Sequence, residues 1–234
     1  MTPHVPIDKV ELIGRSFPFG ELDESVRAAL ASICRWDRRA AGEVIFRQGD
    51  PGTSMVVILS GSVRVVTSSA EGKRLALAIL GEGQVVGEMA LLEGGIRSAD
   101  VITEEPTELL VLERRDLIPF LEHNPRICIM LLEVLSGRLR QTTETLSDRT
   151  FLSLEARLAK ALLRLADAYG RETADGVRIE MKLSQRAIGE MIGASRESVN
   201  KQLQAWSDEG IVQLKRGNVA VLQLEGLTGI AGLH

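Results

Sequence analysis

The sequence predicts an α+β chain in three parts: an N-terminal jelly-roll-like β-roll, a long helix, and a C-terminal winged helix-turn-helix. Three observations carry this. Short β-rich runs cut by glycine fill residues 42–112, a 4-3-4-3-4 apolar spacing follows Asn124-Pro125, and from Ser184 onward two capped amphipathic stretches flank Gly193.

The chain has 234 residues, 44% hydrophobic and 26% charged, which suits a folded protein with more than one core. A net charge of −4 argues against a protein that coats nucleic acid through a broad basic face. Cys34 and Cys128 stand far apart without a CxxC pair, so neither a zinc knuckle nor a disulfide framework is indicated. The first residues (Thr2, His4, Asp8, Lys9, Glu11, Arg15) lack the apolar core of a signal peptide, and the run 75–80 is too short to span a bilayer. A soluble, cytoplasmic protein with no membrane partner is expected.

The first domain, 1–124, is read as an N-terminal helical segment followed by strands at Val44-Ile45-Phe46, 55–59, 62–67, 75–80 and 109–112. Gln48-Gly49-Asp50-Pro51-Gly52, Ser60-Gly61, Glu71-Gly72-Lys73 and Gly81-Glu82-Gly83 mark the turns. The second part, 125–151, places Cys128, Leu132, Leu135, Leu139, Thr142 and Leu146 on one seam, with Arg138, Arg140, Glu144 and Asp148 elsewhere on the helix surface. Such a helix pairs with a parallel copy of itself; the alternative is a core helix. Thr142 is unfavourable in a dimer seam unless something hydrogen-bonds it there, and a ligand would do so.

The third part, 152–234, reads as a helix over 155–169, a short strand through Val177, Ile179 and Met181, two short helices and a terminal hairpin. Ser184 caps the first short helix, Gly193 makes the tight turn, and Ser195 caps the second. Val199, Leu203 and Trp206 share its inner face, which leaves Arg196, Glu197, Asn200 and Lys201 on the outer one. Arginine suits guanine O6 and N7, and glutamate suits cytosine N4, so this face fits a major groove; the alternative is a Glu197–Lys201 ion pair on a solvated helix. Lys215-Arg216-Gly217-Asn218 forms a wing turn with two cations for phosphates. From Ser153 on, eleven Lys and Arg face ten Asp and Glu, so placement rather than bulk charge must carry any DNA affinity.

Residues 83–99 join a Gly-rich approach (Gly83, Gly87) to a short apolar helical turn through Glu88, Met89 and Ala90, and then to Arg97-Ser98. Backbone N–H groups at a helix start and an arginine fork favour a phosphate, Ser98 is a neutral donor, and Glu88 can accept from a ribose hydroxyl. An Arg97–Glu88 structural ion pair is the alternative.

Taken together, the β-roll glycines, this cassette, the seam helix and Ser195-Arg196-Glu197-Ser198-Val199-Asn200-Lys201 resemble the cyclic AMP receptor protein (CRP/FNR) family over about residues 20 to 225. The resemblance implies a non-enzymatic, homodimeric transcription regulator whose effector is cyclic AMP or cyclic GMP. Gly87 and Glu88 would hold the ribose 2′-hydroxyl, Arg97 and Ser98 the cyclic phosphate, and Thr142 and Thr143 the purine, Thr143 reaching the partner's ligand; Met89 and Ala90 are also placed at the nucleotide. Ser184, Gln185, Ser195, Arg196, Glu197, Asn200, Lys201, Lys215 and Arg216 would contact double-stranded DNA at a palindromic TGTGA-like site, with RNA polymerase a candidate partner. Two departures stand out. Lys201 occupies a position where arginine is best known, which blunts its base choice, and the Glu88-to-Arg97 spacing is one residue short. The two lone cysteines cannot ligate the iron–sulfur cluster of the oxygen-sensing branch, and the scattered His4, His123 and His234 give little support to haem. A member with another effector or none, and an enzyme using Glu88 as a base, are the rival readings; the enzyme lacks a nucleophile–base pair or metal cluster.

Overall fold

The computed structural model describes residues 9–14, 19–69, 74–181, 184–215 and 218–232. Two compact units are present, Met1–Thr67 with Ala78–Arg138, and Ser68–Leu77 with Leu139–His234. The division falls inside the long helix.

The first unit opens with α1 (Lys9–Gly14), a 3-10 turn (Phe19–Glu21) and α2 (Glu24–Ile33). Eight strands follow: β1 (Cys34–Arg39), β2 (Val44–Phe46), β3 (Ser54–Ser60), β4 (Val63–Ser68), β5 (Arg74–Leu80), β6 (Val85–Val86), β7 (Asp100–Thr103) and β8 (Thr107–Glu113). Helix α3 (Glu88–Glu93) lies between β6 and β7, and α4 (Arg114–His123) and α5 (Pro125–Phe151) close the unit. The strands make two sheets, β1-β8-β3-β6 and β2-β7-β4-β5, with antiparallel pairings. The α+β architecture expected from the glycine-cut runs is therefore present, but β1, β6 and β7 are additional to the five runs read from the sequence. The expected Glu71-Gly72-Lys73 turn lies outside the described residues.

Strand β3 explains why a continuous apolar run sits in this sheet. Met55, Val57 and Leu59 turn toward the helices, packing with Leu30, Leu117, Ile127 and Leu131. Val56 and Ile58 turn the other way, onto Val63, Leu80, Val101, Leu109 and Val111. A strand covered on both faces needs hydrophobic residues at every position rather than at alternate ones. Strand β8 repeats the pattern, with Leu110 and Leu112 toward the helices and Leu109 and Val111 inward. The outer strand β1 instead reads Cys34-Arg35-Trp36-Asp37-Arg38-Arg39, charged along an edge of the sheet.

Helix α5 begins at Pro125, where the missing N–H is harmless, and its 27 residues span about 40 Å. Ile127, Met130 and Leu131 are buried in the first unit's core, with Cys128 half-buried against it. The other side carries Ile129, Leu132, Leu139 and Leu146, each about 60–70% exposed (59%, 60%, 69% and 67%). Cys128 thus turns toward its own core, and Ile129, which the 4-3 spacing passed over, is the exposed apolar residue of that turn.

The second unit contains α6 (Leu154–Tyr169), β9 (Gly170–Thr173), β10 (Gly176–Ile179), α7 (Gln185–Ile192), α8 (Arg196–Asp208), β11 (Val212–Lys215), β12 (Asn218–Val221) and α9 (Leu224–Ile230). Its sheet runs β11-β12-β10-β9, and Leu158, Leu162, Leu165, Ile188, Ile192, Val199, Leu203, Trp206, Val221 and Leu227 are buried. The last turns of α5 are fastened to this unit. Asp148 accepts from Lys160 Nζ at 2.6 Å, Glu144 pairs with Arg164 at 3.1 Å, and Arg149 Nη2 donates to the Met191 carbonyl at 3.3 Å. Among the described residues, no helix is long and apolar enough to cross a membrane.

Two measurements test this packing. Gly42 and Gly61 both have positive φ (80° and 83°), but an added Cβ meets nothing within 4 Å at Gly42, whereas at Gly61 it falls 2.6 Å from the Pro106 carbonyl oxygen. In urea unfolding followed by circular dichroism, Gly42→Ala should cost about 1 kcal/mol, the left-handed strain alone. Gly61→Ala should cost about 3 kcal/mol, because a backbone oxygen must also move. Burial pushes the Cys34 thiol from its ordinary 9.0 to about 12, with Lys9 pulling weakly the other way. The neutral thiol is the form the fold favours, so its contribution holds below pH 9 and is lost as pH rises toward 12. Alkylation by iodoacetamide at pH 8 should accordingly label half-buried Cys128 well before Cys34.

Candidate functional site

In the first unit the structure brings together Gly87, Glu88 and Arg97, and adds Phe46, Ser54 and Arg138. Gly87 caps α3 with φ at +89°, and a Cβ there would lie 2.6 Å from the Phe46 ring and 2.8 Å from Arg97 Nη1. Only glycine meets both demands. The first-turn N–H groups of α3, at Glu88, Met89 and Ala90, have no acceptor within the helix. Ala90 is buried beneath this turn and Met89 is exposed.

Arg97 is 5% exposed. Its Nη1 donates to the Gly87 carbonyl at 3.1 Å and its Nη2 to Ser54 Oγ at 3.2 Å, while the guanidinium carbon lies 3.6 Å over the centre of the Phe46 ring. These partners are neutral, and among the described residues no carboxylate forms an ion pair with it. Burial lowers its pKa from the ordinary value, opposed by the more distant charges of Asp50, Glu113 and Glu88. A guanidinium withdrawn from water beside neutral groups is an arrangement that an anion completes. The short Glu88-to-Arg97 spacing does not displace it: Gly94, with φ at +75°, ends α3, and the Arg97 N–H and carbonyl pair with Asp50 and Gly49 at 2.8 and 2.9 Å.

Glu88 is 1% exposed, and its ion-pair partner is Arg138 of α5, not Arg97. Arg138 also donates to the Val85 carbonyl. This corrects the placement of Arg138 among outward charges of the seam helix; the missed signal is its position four residues before Thr142, on the same helix face. Glu88 Oε2 is buried with no hydrogen-bond partner, so one strong acceptor remains for a hydroxyl donor. Ser98 is exposed beside Arg97. Thr142 and Thr143 are exposed on the stretch of α5 that belongs with the second unit, and Thr143 Oγ1 donates to the Leu139 carbonyl at 2.9 Å.

In the second unit the helix-turn-helix is built from its caps. Ser184 Oγ accepts from the Ala187 N–H at 3.1 Å, Gly193 (φ 68°) ends α7, and Ser195 Oγ accepts from the Ser198 N–H at 3.1 Å. Gly189, in mid-helix, permits the close crossing, since a Cβ there would meet the Ala194 carbonyl oxygen at 2.7 Å. Val199, Leu203 and Trp206 are buried, and Arg196, Glu197, Asn200 and Lys201 are exposed on the opposite face of α8. The Glu197 carboxyl is held below its ordinary range by its own backbone N–H, the Ser195 hydroxyl and Arg196. Gln185 is turned onto Asn200 rather than outward, its Nε2 2.8 Å from Asn200 Oδ1. Lys215 ends β11, and Arg216 lies outside the described residues.

Residues 37–124 match the family model of the cyclic nucleotide-binding domain, and residues 156–230 match that of the Crp-like helix-turn-helix domain. The chain belongs to the CRP/FNR family of transcription regulators. It is 30% identical to the CRP-like cAMP-activated global transcriptional regulator of Mycobacterium tuberculosis, over 93% of this chain and 97% of that one. It is 35% identical to the cyclic AMP receptor protein of Thermus thermophilus, over 81% of this chain and 85% of that one. Among solved structures, Thermus thermophilus catabolite activator protein is 34% identical over 92% and 98% of the two chains, with a TM-score of 0.51. The c-di-GMP-responsive global regulator CLP of Xanthomonas campestris is 24% identical over 85% and 99%, with a TM-score of 0.75, and shares the fold. The protein is thus a CRP/FNR-family DNA-binding regulator with a cyclic nucleotide-binding domain, and the buried Arg97 lies in that domain.

Because that arginine forms no ion pair among the described residues, its removal should do little harm to the ligand-free CRP/FNR protein. Arg97→Gln forfeits two hydrogen bonds and a ring contact but also relieves a buried charge, so unfolding free energy should change by less than about 1 kcal/mol. Urea denaturation without ligand checks this; a loss of several kcal/mol would mean that Arg97 is a structural strut.

Proposed function

We propose that this CRP/FNR protein is a cytoplasmic homodimer whose affinity for a palindromic, TGTGA-like DNA site is raised by cyclic AMP. The observation that carries the reading is the pair of unfinished groups in the first unit: the buried guanidinium of Arg97, with no ion pair among the described residues, and the unpartnered Oε2 of Glu88. A cyclic phosphate satisfies the first, with Ser98 beside it, and a ribose 2′-hydroxyl satisfies the second. Arg138 holds the other Glu88 oxygen, so the ligand and α5 would share one carboxylate.

Thr143 supplies a purine contact. Its hydroxyl hydrogen is used on the Leu139 carbonyl, leaving the oxygen as an acceptor for an exocyclic amine, N6 of adenine or N2 of guanine, so the preference for cyclic AMP is drawn from the relatives. The two relatives compared above, at 30% and 35% identity, carry cyclic AMP in their names. The exposed stripe Leu132, Leu139 and Leu146, with Leu135 half-buried beside it, supplies a seam for a parallel copy, which sets two recognition helices against successive major grooves. Ligand acts by favouring the helix arrangement with the right half-site spacing. RNA polymerase remains a candidate partner of the DNA-bound form.

Isothermal titration calorimetry with cyclic AMP and then cyclic GMP tests the pocket. One site per subunit, with cyclic AMP the tighter ligand, is expected; no binding of either would remove the nucleotide from the proposal. Changing Thr142→Ala/Thr143→Ala should reduce the cyclic AMP-dependent gain in DNA affinity at least tenfold in fluorescence anisotropy. An undiminished gain in that variant would exclude these hydroxyls as the coupling route.

A further inference from the structure

Asn200 stands on the exposed face of α8, one turn beyond Arg196 and next to Lys201, with Val199 and Leu203 buried on either side to fix how the helix is rolled. Its carboxamide is not free to rotate, because Gln185, the first residue of α7, donates from Nε2 to Asn200 Oδ1 at 2.8 Å. The two ends of a carboxamide point in divergent directions, so fastening the oxygen toward α7 turns the Nδ2 donors away from it. The pairing of asparagine with adenine requires both ends, Oδ1 for N6–H and Nδ2 for N7. An asparagine whose oxygen is held elsewhere presents donors only.

We propose that Gln185 is a positioning residue that makes Asn200 a donor-only reader of the base edge. The inference rests on the DNA-reading role of α8 and adds a base rule to it. Guanine offers O6 and N7, adenine N7 and thymine O4 to such a donor, while cytosine offers a donor of its own at N4 and is disfavoured. At the base Asn200 faces, the protein therefore excludes cytosine without demanding adenine.

The test uses the full-length protein with saturating cyclic AMP and a duplex library randomised across both half-sites, followed by anisotropy on selected duplexes. Wild type should yield one half-site position depleted of cytosine. Gln185→Leu frees Oδ1, and the same position should shift to adenine by about tenfold, the scale of one bidentate base contact. Gln185→Glu accepts from Nδ2 and turns Oδ1 outward, so the bases with an exocyclic donor, cytosine at N4 and adenine at N6, should become favoured there and the depletion of cytosine should disappear. In an Asn200→Ala background neither change at 185 should move the preference, and Tm should stay constant across the set because both side chains lie at the surface. An unchanged base preference in Gln185→Leu, or a shift that persists without Asn200, would overturn the proposal. Failure of wild type to select any duplex over random DNA with cyclic AMP, with cyclic GMP and with neither would instead remove the DNA-reading role beneath it.

Discussion

A guanidinium held out of water, with no ion-paired carboxylate among the described residues, is the constraint around which the first unit is arranged. Keeping Arg97 there requires the Phe46 ring beneath it, Ser54 on β3 and the Gly87 carbonyl beside it, and backbone pairing of Arg97 to Gly49 and Asp50. It also requires that position 87 have no side chain. None of these groups neutralises the charge. On the proposed reading a bound cyclic phosphate would supply the missing counter-charge, so that part of the stability of the two apolar layers would be held as affinity for the ligand.

Helix α5 connects this site to the rest of the chain by doing three things along its length. Its first turns are buried in the core through Ile127, Met130 and Leu131; Arg138 ties its middle to Glu88; and Glu144, Asp148 and Arg149 tie its end to α6 and α7. Gly137 sits next to Arg138 within the helix, with open space around it. A glycine inside a helix weakens it locally by about 1 kcal/mol relative to alanine, so the least rigid point adjoins the residue that meets the pocket.

Much of this was legible in the sequence where residue type and spacing are both constrained. The helix-turn-helix depends on serine caps at 184 and 195 and glycine at 193, and the structure uses them so. The strands that escaped have physical reasons to do so. Strand β1 is charged because it lies at an edge, β9 is Gly-Arg-Glu-Thr with every residue exposed, and β6 is two residues long. None offers the apolar alternation by which a strand is recognised. Glu88 and Arg97 were singled out from their chemistry, but the partner of Glu88 was not, because Arg138 is separated from it by 50 residues and only the fold brings them together. Cys128 and Ile129 show the same limit: periodicity puts Cys128 on the seam and passes over Ile129, and only packing shows that Cys128 faces inward and Ile129 outward.

The charged edge strand has a further effect on how copies of this chain can meet. Arg35, Asp37, Arg38 and Arg39 along β1, with β6 only two residues long at the opposite edge, leave that sheet with poor templates for an added strand. Strand addition is open-ended and leads to fibres, whereas two like helices meeting on one face satisfy each other and stop. By discouraging growth through that sheet, the sequence protects the protein from polymerising even though leucines on its longest helix remain uncovered.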